Sequence, residues 1–76
     1  MKNRIVINPA VMTGKPVIKG TRITVDAIVR RLAKGMTFKE LLEEYTNLKE
    51  NDIKAALEYC ADVISNEDVA PVLVKA

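Results

Sequence analysis

Apolar positions fall in three helical blocks behind a β-branched N-terminal stretch. Val25, Ile28, Val29 and Leu32 recur at i, i+3, i+4 and i+7, which places them on one face of a helix, with Arg30, Arg31 and Lys34 away from its centre. Thr24 is the expected N-cap, Asp26 sits in the first turn where the helix dipole favours an acid, and Gly35 is the expected stop. Phe38, Leu41, Leu42 and Tyr45 repeat the spacing over about two turns. This second helix opens on a Thr37–Glu40 capping box with Met36 and Leu41 as its hydrophobic staple. Ile53, Ala56, Leu57, Cys60, Val63 and Ile64 predict the inward face of a third, longer helix that frays near Ser65–Asn66. Its start has two readings: Lys49 as N-cap with a Leu48–Ile53 staple, or Asn47 with Glu50 as a capping box.

Ahead of the helices, "RIVIN" reads as a short strand ending at Pro9, and Met12 to Gly14 as a loop. Val17–Ile18 and Arg22–Thr24 are β segments around a tight Lys19–Gly20–Thr21 turn, where Gly20 can take positive φ. After Pro71, Val72, Leu73 and Val74 form another β-prone run. So short a strand needs a partner, which Ile5 to Ile7 of the same or a sister chain would supply. The expected fold is mainly α: a trihelical, homeodomain-like helix-turn-helix core over 25–65 in one domain, with a short N-terminal β-hairpin and a C-terminal strand in the tail 66–76.

Composition changes this picture in one respect. Seventy-six residues bury little surface, and with one cysteine and no histidine neither a disulfide nor a zinc site can reinforce the fold. Association remains, and a homodimer is expected. No apolar run reaches the length of a membrane span and "IVI" is too short for a signal-peptide core, so the expected location is the cytoplasm, without membrane contact.

The net charge of +2 hides a strong asymmetry. Residues 1–39 carry nine Lys/Arg against Asp26 alone, and residues 40–76 carry three against nine Asp/Glu. The basic half suits a polyanion, and the acidic half a basic partner or plain solubility. Catalysis is not expected: there is no histidine, no phosphate-binding glycine loop, and no nucleophile beside a base, and no cofactor is implied. For DNA, the candidate contacts are Lys15, Lys19 and Arg22 around the turn, Arg30 and Arg31 on the first helix, and Asn51 and Lys54 at the start of the third. Glu50, Asp52 and Glu58 oppose base readout by that third helix. Arg22 has a competing structural role, pairing with Asp26 or with a carboxylate of the third helix.

These residues carry a resemblance. Gly14, Pro16, Ile18, Gly20, Thr21, Arg22 and Ile23, followed by the "LAKGM" segment and the Leu48…Asp52–Ile53 helix start, resemble domain-of-unknown-function family 433 over residues 8 to about 64. The resemblance implies a homeodomain-like helix-turn-helix and the antitoxin half of a type II toxin–antitoxin pair, the partner being a PIN-like ribonuclease toxin. Binding to the pair's own promoter DNA, alone or with the toxin, is expected through the basic residues. Because nucleases tend to be basic around the substrate groove, toxin contact is expected from the acidic third helix, at Glu58 and Asp62, and from the tail at Val72, Leu73 and Val74.

Overall fold

The computed structural model describes residues 4–66. Strand β1 (Ile5–Ile7) pairs antiparallel with β2 (Pro16–Ile18), and helices α1 (Val25–Ala33), α2 (Phe38–Glu44) and α3 (Glu50–Asn66) follow. This is the expected trihelical helix-turn-helix core with an N-terminal hairpin. The hairpin differs in its pairing. β1 partners β2 through Ile5–Ile18, Val6–Val17 and Ile7–Pro16, so its partner lies within the hairpin. The segment 22–24 contributes a single bridge, Val17 to Thr24. The expected strand at Val72 to Val74 lies outside the described residues.

Local chemistry explains each boundary. The chain reverses between β1 and β2 through a turn at Met12–Gly14 in which Met12, Thr13 and Gly14 all have left-handed φ, at 49, 56 and 81°. For Met12 and Thr13 that conformation is strained, and backbone bonds from Gly14 to Val11 and from Lys15 to Met12 hold it. At the second turn Gly20 has φ 79°, Thr21 donates through both its N–H and its hydroxyl to the Ile18 carbonyl, and its hydroxyl oxygen accepts from the Ile23 N–H. One side chain therefore satisfies the turn.

The Thr24 side chain caps α1 by accepting from the Ala27 N–H. α1 ends in a Schellman arrangement: Met36 N–H to the Arg31 carbonyl and Gly35 N–H to that of Leu32, with Gly35 at φ 99°. Met36 then leads directly into α2, whose Thr37–Glu40 capping box is complete in both directions. The Thr37 backbone N–H on the Glu40 carboxylate is the main reason that its pKa is lowered.

α3 starts at Glu50, which makes Lys49 its N-cap; the Asn47 alternative is not used. Lysine cannot accept the capping bond, yet the cap is only half empty. Asp52, at N3, reaches back to the Lys49 N–H at 2.9 Å, and its second oxygen takes the Arg4 guanidinium at 3.0 Å. Asp52 is buried at 6% exposure, a position that the pattern of apolar residues assigned to solvent. The Arg4 carbonyl also accepts from the Lys19 N–H at 2.7 Å. Arg4 thus ties the hairpin to the start of α3.

Ile18, Ile23, Val25, Ile28, Leu41, Leu48, Ile53 and Ala56 form the core, fed by every element except β1, whose Ile5 packs on its margin. The expected inward face of α3 holds in part, and Cys60 packs against the margin of the core. Ile53 and Ala56 are buried and Ala55 joins them, whereas Leu57 and Ile64 are exposed at 38% and 65%. For Ile64 the reason is length: α3 runs about 25 Å and α1 only about 13 Å, so the last turns of α3 extend past the helix it packs on, whereas Leu57 lies mid-helix at the edge of the buried face.

Replacing Asp52 by alanine should cost about 2 kcal/mol, since it strands the Lys49 N–H and the Arg4 guanidinium together. Arg4→Ala should cost about 1 kcal/mol, because Arg4 is more than a third exposed and partly screened. Urea unfolding at fixed protein concentration should show the double variant losing less than the two single losses added; strict additivity would mean that the pair does not interact.

Candidate functional site

β1 begins at the N-terminal end of α3, at the Arg4–Asp52 pair, and lies against its flank. The alternation of a strand turns Ile5 and Ile7 to the same side, and the 3.6-residue repeat turns Ala55, Glu58, Tyr59, Asp62, Val63 and Asn66 towards them. Between the two lies an open groove of about 590 Å³. Its floor is aliphatic and aromatic, and its acidic groups are Glu58 and Asp62. Beside it, the outer face of α3 carries the exposed Leu57 and Ile64.

The basic residues do not form one strip. Lys19 and Arg22 are exposed on the second turn, which the Lys19–Arg4 bond holds at the same end as the N-terminus of α3. That end also presents the exposed Asn51 and Lys54, with Lys54 3.7 Å from Glu50. Asp52 points inward to Arg4, which removes one of the acids set against base readout at this helix start. Lys15 lies at the other end of β2, beside Asp26.

Arg30 and Arg31 diverge although adjacent. Arg30 is solvated and pairs with Asp26 at 3.4 Å. Arg31 pairs with Glu44 at 3.3 Å, bonds to the Ala27 carbonyl and stacks on the Tyr45 ring at 5.2 Å. Arg31 therefore joins α1 to α2. The structural pairing expected for Arg22 is not made: Arg30 occupies Asp26, Arg4 occupies the buried carboxylate of α3, and no ion pair among the described residues involves Arg22. The Thr24 hydroxyl beside Asp26, with smaller help from Arg30 and Lys15, holds its carboxyl below the ordinary value against the opposing effect of burial.

Glu58 and Asp62, expected on the partner-facing surface, thus come together on the groove, whereas Val72, Leu73 and Val74 lie outside the described residues. Burial, and to a lesser extent the Asp26 charge, push the Cys60 thiol above its usual range, which disfavours the nucleophilic thiolate. Among the described residues no group of three or more metal-ligating side chains occurs, and no helix is long and apolar enough to cross a membrane. The pattern of apolar residues had missed Arg4 and Asp52. An acid at N3 behind a non-capping Lys49 was the available local signal for half of that hub; nothing local signals the other half, 48 residues away.

A family model described as "Protein of unknown function (DUF433)" matches residues 5–60. A crystal structure of a DUF433 member protein from Anabaena variabilis superimposes with a TM-score of 0.78 at 36% identity, over 83% of this chain and 62% of the other. The chain therefore spans less than two-thirds of the length of that neighbour. A protein of Archaeoglobus fulgidus described as uncharacterized is 70% identical over 27 residues, 36% of this chain and 75% of the archaeal one.

The contrast between neighbouring arginines is measurable. Arg31→Ala should destabilise by about 1 kcal/mol through the lost ring stack and ion pair, a fall in Tm of roughly 4–8 °C for a domain of this size. Arg30→Ala should change Tm by less than about 2 °C, as for an exposed ion pair within one helix. Equal effects from the two would contradict the assignment of Arg31 to the joint between α1 and α2.

Proposed function

The chain belongs to the DUF433 family, and on that premise we propose that it is the antitoxin of a type II toxin–antitoxin pair. It neutralises a PIN-like ribonuclease toxin by direct binding and regulates its own operon by binding promoter DNA, as a cytoplasmic homodimer without cofactor or catalytic activity. The observation that carries this reading is the separation of charge in the folded chain. Glu58 and Asp62 lie beside exposed apolar residues from the middle of α3 towards its far end, while Lys19, Arg22, Asn51 and Lys54 gather at its start.

An acidic, apolar surface suits the basic rim of a nuclease, and a tight complex there would cover the toxin's metal-binding acids from RNA. Exposed Leu57 and Ile64 supply the apolar centre that such an interface needs. They also support association with a second copy, and pairing two basic ends about a two-fold axis would suit successive half-sites on DNA. Arg22 supports the DNA contact most directly. Its neighbours Gly20, Thr21 and Ile23 are engaged in the turn or the core, whereas Arg22 is exposed and free of ion pairs among the described residues.

A regulator that binds DNA without a toxin is the second reading, favoured by the completeness of the basic end without help from the acidic one. Both are tested by inducing the reading frame beside the gene, with and without this chain. Arrest of growth that the chain relieves is expected, and Glu58→Lys with Asp62→Lys should weaken the complex at least about tenfold and abolish relief. Arg22→Glu should keep relief and lose promoter binding. A harmless neighbour, with promoter binding that falls steeply as salt rises, would instead leave the stand-alone regulator.

A further inference from the structure

β1 pairs with β2 along one edge, and no strand pairs with its other edge among the described residues. In an antiparallel pair, hydrogen-bonded and non-bonded positions alternate. The Arg4 carbonyl accepts from the Lys19 N–H, so the bonded positions of β1 are Arg4 and Val6. Ile7 stands opposite Pro16, which has no N–H to give. Ile5 and Ile7 therefore turn their N–H and C=O groups to the open edge, and the side chains of the same two residues line the groove against α3.

The groove sets the charge of what fills it. Glu58 and Asp62 line it, and neither has an ion-pair partner among the described residues. They lie one helical turn apart on α3, about 6 Å along its axis. Side chains at alternate positions of a strand are spaced by about 6.6–6.8 Å. Two basic side chains at positions i and i+2 of an extended segment thus match the two carboxylates, with their apolar stems over Ile5, Ile7 and Tyr59. A second copy of β1 is a poor occupant, because pairing the two edges about a two-fold axis would bring two such acidic grooves together.

We propose that an extended segment of a partner protein, with Lys or Arg at alternate positions, adds to the open edge of β1 as a third strand and sets its basic groups on Glu58 and Asp62. Main-chain bonds to Ile5 and Ile7 supply the pairing, and the two carboxylates supply the selectivity. The inference deepens the antitoxin reading and rests on it for the source of the segment, which is then a strand of the toxin.

The test reads amide hydrogen exchange in the full chain by NMR, with the acetylated and amidated peptide Ser-Val-Arg-Val-Arg-Val-Ser as the probe. In the chain alone the Ile5 and Ile7 amides should exchange faster than that of Val6, and saturating peptide should slow both by at least about tenfold. Glu58→Gln with Asp62→Asn should weaken peptide binding at least about tenfold. Of two peptides methylated on alternate backbone nitrogens in opposite phases, one should lose binding and the other keep it; equal behaviour would overturn strand addition. Unchanged exchange at Ile5 and Ile7 with the peptide would overturn it too. So would protection of both amides in the chain alone, which would show the edge already filled, by a second copy if dilution removes the protection and by the chain itself if it does not. The same reading on the complex with the product of the reading frame beside the gene separates the two proposals. A complex that forms with both amides unprotected would overturn the strand and leave the antitoxin reading standing. Peptide protection without any such complex would keep the strand and remove the toxin as its source.

Discussion

Asp52 is the point through which the two halves of the chain are joined. A carboxylate this deeply buried is costly unless both oxygens are hydrogen-bonded, and here one takes the Arg4 guanidinium and the other the Lys49 N–H. The first bond positions β1 against α3, and the second starts α3 at Glu50, where its N-cap is a lysine. Because Arg4 also accepts from Lys19 through its carbonyl, the basic turn is carried along with β1. The groove, the basic end and the register of α3 all follow from one side chain.

α3 is built longer than the body that supports it. Its first half completes a small aliphatic core, where a fully buried Ile28, Leu41 or Ile53 each contributes about 2–3 kcal/mol. From its middle onward it adds Tyr59 and Cys60 to the margin of that core and projects Leu57, Glu58 and Ile64 into solvent. In a chain with so little interior, apolar surface left outside is better explained by partners than by stability.

The sequence made the helices and their caps legible because those signals are local. Thr24, Gly35 and the Thr37–Glu40 box act within three to five residues, and each performs as its spacing suggests. Periodicity shows which side of α3 is apolar but neither how wide its buried face is, which leaves Leu57 at the edge, nor where its packing partner ends, which leaves Ile64 outside. The pairing of β1 with β2 was hidden for another reason. It depends on a turn in which Met12 and Thr13 accept left-handed geometry that their side chains disfavour. Arg22 was expected to pair with an acid because opposite charges lay nearby in sequence, but the folded chain gives Asp26 to Arg30 and Asp52 to Arg4. Charge balance along a sequence does not say which cation reaches which anion.

The account's central claim is that the two ends of α3 serve different partners, the acidic and apolar end a protein and the basic end a nucleic acid. Site-specific photo-crosslinking in cells expressing the chain together with the product of the reading frame beside its gene, the proposed toxin, addresses that claim most directly, with the reactive side chain placed at Ile64 or at Lys19. Crosslinks to that product from position 64 and none from position 19 are the expected result. Crosslinks from position 19 with none from position 64 would contradict it, and would move the protein-binding surface to the end assigned here to DNA.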